Sequence, residues 1–111
     1  MNLKFGTPEE CFNSMKDDLV ANPQKTKGMV VAYQFEITGD LGGMWYIRLN
    51  NGDVDITKGT ITNWDCRMKM GQSTFLAIAS RRLNPTMAFL GGRVQMKGNS
   101  NKLQYLQKIL G

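Results

Sequence analysis

Histidine is absent from this chain of 111 residues, and only two cysteines and three prolines occur. Without histidine, the commonest general base and the commonest metal ligand are both missing. The groups left for chemistry are scattered carboxylates and two thiols, Cys11 and Cys66, both in apolar-phase positions. Those positions predict buried, reduced thiols rather than a disulfide, and they offer neither a metal site nor a cofactor. A phosphate loop is missing too, because Gly39 to Gly43 has no lysine and opens no helix. No apolar run approaches the roughly 20 residues that a bilayer span requires. An enzyme is therefore not expected. Met1 to Gly6 lacks the apolar core of a signal peptide, and Lys108 to Gly111 is not a peroxisomal address. From these the expectation is one cytoplasmic stand-alone domain, 1–111.

Acid is scarce in one half only. Residues 1–57 carry five basic and eight acidic groups, a net of −3, whereas residues 58–111 carry nine basic groups and one acid, Asp65, a net of +8. The overall +5 hides this polarity, which suits an anionic partner such as a membrane surface or a charged lipid head, or else a plain solvated face. A pI near 9.4 also permits a nucleic-acid-binding module. Tyr33, Phe35 and Trp45 fall in the inward phase, however, so no stacking platform accompanies the basic groups and no nucleic acid is expected.

The hydrophobic pattern changes period along the chain. Thr7-Pro8-Glu9-Glu10 is a capping box with proline in the first helical turn, followed by Cys11, Phe12, Met15 and Leu19 at helical spacing until Asn22-Pro23. From Met29 to Thr38, Val31, Tyr33, Phe35 and Ile37 alternate with Gln34 and Glu36, which predicts a strand. Turns at Gly39 to Gly43 and Asn50 to Asp53 separate it from strands at Trp45 to Leu49 and Val54 to Lys58. A fourth strand, Asp65 to Met70, sets Cys66, Met68 and Met70 against Arg67 and Lys69. Helical spacing returns from Ser73 to Arg82 and again from Asn101 to Leu110, where Leu103, Leu106, Ile109 and Leu110 form a stripe. The sheet face turned outward carries Arg48, Arg67, Lys69, Arg93 and Lys97. The expected class is α+β: about five strands, with helices covering one face.

Leu83 to Asn99, LNPTMAFLGGRVQMKGN, compresses a helix start, a helix stop, a strand and the next helix start into one segment. Asn84 caps a short apolar helix of Met87, Phe89 and Leu90 that Gly91-Gly92 terminates, and this helix is expected to lie over the inward face of the strand Arg93 to Lys97. The order Leu83-Asn84-Pro85, Ala88-Phe89, Gly91 or Gly92, Arg93 to Lys97 and Gly98-Asn99 resembles the signature region of the sterol carrier protein type 2 (SCP-2) domain. The resemblance continues upstream through Phe35-Glu36-Ile37-Thr38, Gly42-Gly43-Met44-Trp45 and Asn50-Asn51-Gly52, and covers roughly Val30 to Leu110. Thr62 to Arg67 departs from the acidic, alanine-rich approach to the fourth strand that is usual in the family.

The resemblance implies an apolar tunnel between sheet and helices, and non-enzymatic binding and transfer of a lipid: fatty acid, fatty acyl-CoA or sterol. The residues then expected to line it are Trp45, Ile47, Met68, Met70 and Met96 on the strands. The covering helices would add Phe75, Leu76, Ile78, Ala79, Leu83, Met87, Phe89, Leu90, Leu103 and Leu106. On pattern alone the same residues describe a filled core first, and with it a structural or partner-binding domain; the resemblance is what turns the reading toward a tunnel. Arg81 and Arg82 are candidates for a lipid head group or coenzyme A phosphate, or for compensation of a helix dipole.

Overall fold

The computed structural model describes residues 6–109, apart from the side chain of Gln107. Four α-helices and five strands follow in the order α1 (Pro8–Ala21), β1 (Val30–Thr38), β2 (Gly43–Asn50), β3 (Asp53–Lys58), β4 (Cys66–Gly71), α2 (Gln72–Ala79), α3 (Pro85–Leu90), β5 (Val94–Gly98) and α4 (Leu103–Ile109). The sheet order is β3-β2-β1-β4-β5. β1 and β4 run parallel, and the other pairs are antiparallel.

Local chemistry accounts for most element ends. The Thr7 hydroxyl accepts the Glu10 backbone N–H at 3.1 Å and caps α1, while the Glu10 carboxylate accepts the N–H of Gly6 rather than closing the box on Thr7. Asn51 (φ 49°) and Gly52 (φ 98°) form the two-residue turn that pairs Asn50 with Asp53 across the β2–β3 hairpin. At Gly98 a side chain is excluded: a Cβ there would lie 2.1 Å from the Asp65 carbonyl oxygen. The short helix α3 is capped by Asn84, whose side chain accepts from the N–H groups of Thr86 and Met87.

The order of strands forces one long step. β3 is an edge and β4 lies beyond β1, so residues 59–65 must cross β2 and β1. They do so over the face away from the helices, above Gln34. The Gln34 amide donates to the carbonyls of Trp45 (3.0 Å) and Gly59 (3.1 Å), and its oxygen accepts the N–H of Ile61 at 2.8 Å. Asp65 ends the crossing by accepting the Ala32 N–H on its carboxylate and donating its own N–H to the Ala32 carbonyl, both at 2.8 Å. Alternation places Gln34 on the outward face correctly, yet the crossing segment leaves it only 2% exposed.

On the inner face, α1 packs toward β3, α2 against β4 and α3 against β5, with α4 on α3. Several expected boundaries shift: α2 spans Gln72–Ala79 and stops short of Arg82, and β2 and β3 start earlier than read, at Gly43 and Asp53. β4 begins at Cys66 and β5 at Val94, each one residue late, and α4 is shorter than read, starting at Leu103 after a 3₁₀ turn, Ser100–Lys102. Leu110 lies outside the described residues. The larger correction concerns α3. Ala88 is its buried contact, while Met87 and Leu90 are 63% and 71% exposed. They sit on the opposite side of the helix from Ala88, because a six-residue helix has room for one inward stripe and the small residue takes it.

Replacing Gln34 with Leu removes the amide's bonds to Trp45, Gly59 and Ile61, together with a longer one to the Phe35 carbonyl (3.4 Å), from a buried site and leaves backbone groups unpaired. The loss of stability is expected to be about 2–4 kcal/mol. Urea unfolding checks this; a loss below about 0.5 kcal/mol would show that water substitutes for the amide.

Candidate functional site

The buried interior is one continuous cluster whose two ends differ in side-chain character. Toward α1 it is built of rings. Phe12 stacks on Trp45 (centroids 4.9 Å apart, planes 14°) and on Phe75 (4.8 Å, 17°), with Phe35 edge-on at 5.4 Å. Phe35 meets Phe75 edge-on as well, at 6.0 Å. Rings at these distances are in van der Waals contact, so this part is filled by the protein itself. Trp45 and Phe75 belong here, and Ile47 is fully buried beside its cross-strand partner Tyr33.

Toward β4 and β5 the interior is aliphatic and thioether-rich. Met68 is paired with Met96 across β4 and β5, and Met70 with Val94. Ile78 and Ala79 of α2 and Leu103 and Leu106 of α4 complete this part, all buried. Leu76, Leu83, Phe89 and Met96 are half-buried and pack against it. Ala88, Val94, Ile109 and the half-buried Tyr105 join them, four residues absent from the expected lining. Ala88 is easily missed because its larger neighbours dominate any reading by hydrophobicity. Met87 and Leu90 leave the lining, as they face away.

Two side-chain contacts hold the segment leading into α4, beside the Asn99 N–H on the Asp65 carbonyl at 2.9 Å. The Tyr33 hydroxyl, at the end of a side chain buried in the sheet's inner face, donates to the Lys102 carbonyl. The Cys66 thiol donates to the Asn99 carbonyl at 2.7 Å. Burial pushes the Tyr33 hydroxyl and the Cys66 thiol above their usual ranges, and the nearby Asp65 carboxylate adds to both. Cys11 is raised to about 12 by burial alone. Both cysteines are free and buried, as their phase predicts.

Charge stays outside. On the outer sheet face Glu36 lies between Arg67 (3.0 Å) and Lys69 (3.4 Å), whose hydrogen bonds hold its carboxyl below the usual range. The basic outer face is thus partly neutralised. Arg81 and Arg82 are exposed in the turn after α2. Arg81 occupies the left-handed region (φ 61°), its N–H on the Ile78 carbonyl and that of Arg82 on Ala77, a helix-ending geometry that usually selects glycine.

The sequence pattern of the SCP-2 sterol transfer family matches residues 12–111. The chain belongs to that family. Hydroxysteroid dehydrogenase-like protein 2 from Mus musculus is 33% identical over 107 residues, 96% of this chain but 21% of that protein. The SCP-2 fold recurs in palmitated SCP2L2 from Aedes aegypti, with a TM-score of 0.73, 21% identity and 94% of both chains covered. It recurs also in the sec-alkylsulfatase Pisa1 from Pseudomonas sp., with a TM-score of 0.77 and 24% identity over 93% of this chain and 16% of that one. This chain therefore spans about a fifth of the length of the dehydrogenase-like relative. The five-stranded mixed sheet with helices on one face is the SCP-2 architecture, and family membership supports lipid binding and transfer.

The buried thiol of Cys11 carries a pH prediction. Its folded pKa exceeds the ordinary thiol value of 9.0, so its contribution is complete below pH 9 and is lost as pH rises toward about 12. Unfolding midpoints in urea should fall between pH 9 and 11, with a shallower fall in Cys11→Ala. Equal slopes for the two proteins would contradict the assignment.

Proposed function

We propose that the chain binds one fatty acyl or sterol ligand without covalent chemistry, in the aliphatic part of the interior between β4–β5 and α2, α3 and α4. The observation that carries this is the division of the core. The aromatic part near α1 is closed by stacked rings, whereas Met68, Met70 and Met96 bring unbranched thioether side chains to adjacent strands, with the half-buried Leu76, Leu83 and Phe89 packed around them. Such walls adjust to a flexible chain by rotamer changes, and each methylene removed from water contributes about 0.8 kcal/mol. A sixteen-carbon tail would reach micromolar affinity on that basis after ordering losses. Arg81 and Arg82 meet an anionic head group in this reading, and the ligand comes from and returns to an anionic membrane surface. The palmitated state of the Aedes aegypti neighbour supports an acyl ligand. The longer dehydrogenase-like and sulfatase chains support a second role, presenting lipid to an enzyme.

Titration of delipidated protein with a fluorescent fatty acid, followed by competition with fatty acid, acyl-CoA and cholesterol, tests the proposal. Saturable one-to-one binding is expected, and its absence in a folded sample would overturn the reading. Replacing Arg81 and Arg82 with Gln should weaken fatty acid binding about threefold to fivefold and leave cholesterol unchanged.

Access requires part of the cover to open, and α4 is tied down by the Tyr33 hydroxyl on Lys102. Tyr33→Phe removes that tie at a cost of about 1 kcal/mol. Stopped-flow release of the bound fatty acid should become faster; an unchanged release rate would place the opening elsewhere.

A further inference from the structure

We infer that α3 is the edge by which this protein rests on a membrane carrying anionic lipids. Met87 and Leu90 enter the interface there, and Arg81, Arg82 and Arg93 meet the lipid phosphates. This deepens the lipid-transfer reading above by naming the surface that reaches the bilayer.

The apolar side chains are the starting point. Leu90 and Met87 are 71% and 63% exposed, more than the other large hydrophobics open to water among the described residues, and they stand three apart on one side of α3, away from the buried Ala88. Charge and pairing together separate this place from the rest. Exposed Val20 follows Asp17 and Asp18, exposed Leu41 follows Asp40, and Val30, 61% exposed at the start of β1, has no second exposed apolar residue within three positions. The stretch of chain that contains α3 carries no acid: from Cys66 to Gly111 there is neither Asp nor Glu.

The arginines are fixed to the helix by its own turns. Arg82 and Leu83 donate their N–H groups to the Ala77 carbonyl just before the Asn84 cap, and Arg93 donates its N–H to the Ala88 carbonyl (2.9 Å) after Gly91-Gly92. All three side chains are exposed, and none enters an ion pair among the described residues. Two apolar side chains with cations on both flanks match an interface of acyl chains under phosphates.

Sedimentation with vesicles of phosphatidylcholine alone, or with roughly one-third phosphatidylserine, reads the partition directly. Wild-type protein should bind the anionic vesicles at least about tenfold more tightly. M87S/L90S should lose about tenfold of that binding and R93Q about fivefold, whereas V20S should lose none. If M87S/L90S proves unstable, L90W takes its place, and its emission should shift to the blue on anionic vesicles only.

Equal partition onto both vesicles, or full binding by M87S/L90S, would overturn the proposal. So would self-association of the wild type that M87S/L90S abolishes without any vesicle binding, which would make a second copy the occupant. Fatty acid titration of M87S/L90S keeps the two readings apart. Lost vesicle binding with intact fatty acid uptake is the expected result. Vesicle binding through α3 with no uptake by any form would remove the ligand reading and leave this surface standing.

Discussion

The step from β3 to β4 is the constraint on which the rest of the arrangement depends. A chain that builds three antiparallel strands in succession reaches one edge of its sheet, and the next strand must then pass to the far side of the first. Residues 59–65 make that passage across the outer face, where their backbone polar groups need partners; the Gln34 amide serves two of them, Gly59 and Ile61, and also donates to Trp45 of β2. Asp65 and Ala32 then exchange bonds and set the register in which Tyr33 faces Cys66 and Phe35 faces Met68. Without that register the methionines of β4 would not lie beside the aromatic side chains of β1, and β5 would have no edge to join.

The consequence is an interior with two characters on one sheet. β1 and β2, under α1, contribute flat rings that stack on Phe12 and Phe75 and leave little freedom. β4 and β5 contribute Met68, Met70 and Met96, whose side chains change shape at small cost. Rigidity on one side and adaptability on the other suit a carrier. The stacked rings anchor the fold, while the thioether side can rearrange without unfolding it. The contacts of Tyr33 and Cys66 with the backbone near Asn99 and Lys102 join the two parts and hold α4 in place.

Charge follows the same division. The first half of the chain mixes signs, and on the outer sheet face Glu36 pairs with Arg67 and Lys69 from the second half, while Asp55 stands opposite Arg48. What remains uncompensated is concentrated beyond β4, in the turns around α3. The cost of Arg81 in a left-handed conformation is consistent with a charge kept at that point, since glycine would satisfy the turn with less strain.

Much of this was legible from residue order. Period-two alternation marked Val31, Tyr33, Phe35 and Ile37 as an inner face, Thr7 and Asn84 announced helix starts, and Asn51-Gly52 announced a hairpin, because each depends on neighbours a few residues away. The signature from Leu83 to Asn99 pointed to the SCP-2 family through its caps and turn residues, although Gly98 is required by a distant neighbour, the Asp65 backbone. Burial of Gln34 was not legible, since the segment that covers it arrives from a distant part of the chain. Nor was the orientation of α3, where Ala88 took the inward position over Met87 and Leu90 through packing on β5. The sequence by itself determined which elements form and the apolar, histidine-free character of the interior, because these rest on local periodicity and composition. Only the tertiary structure decided which apolar side chains meet each other and which are left to face water, because that depends on strand order and on contacts between residues far apart in the chain.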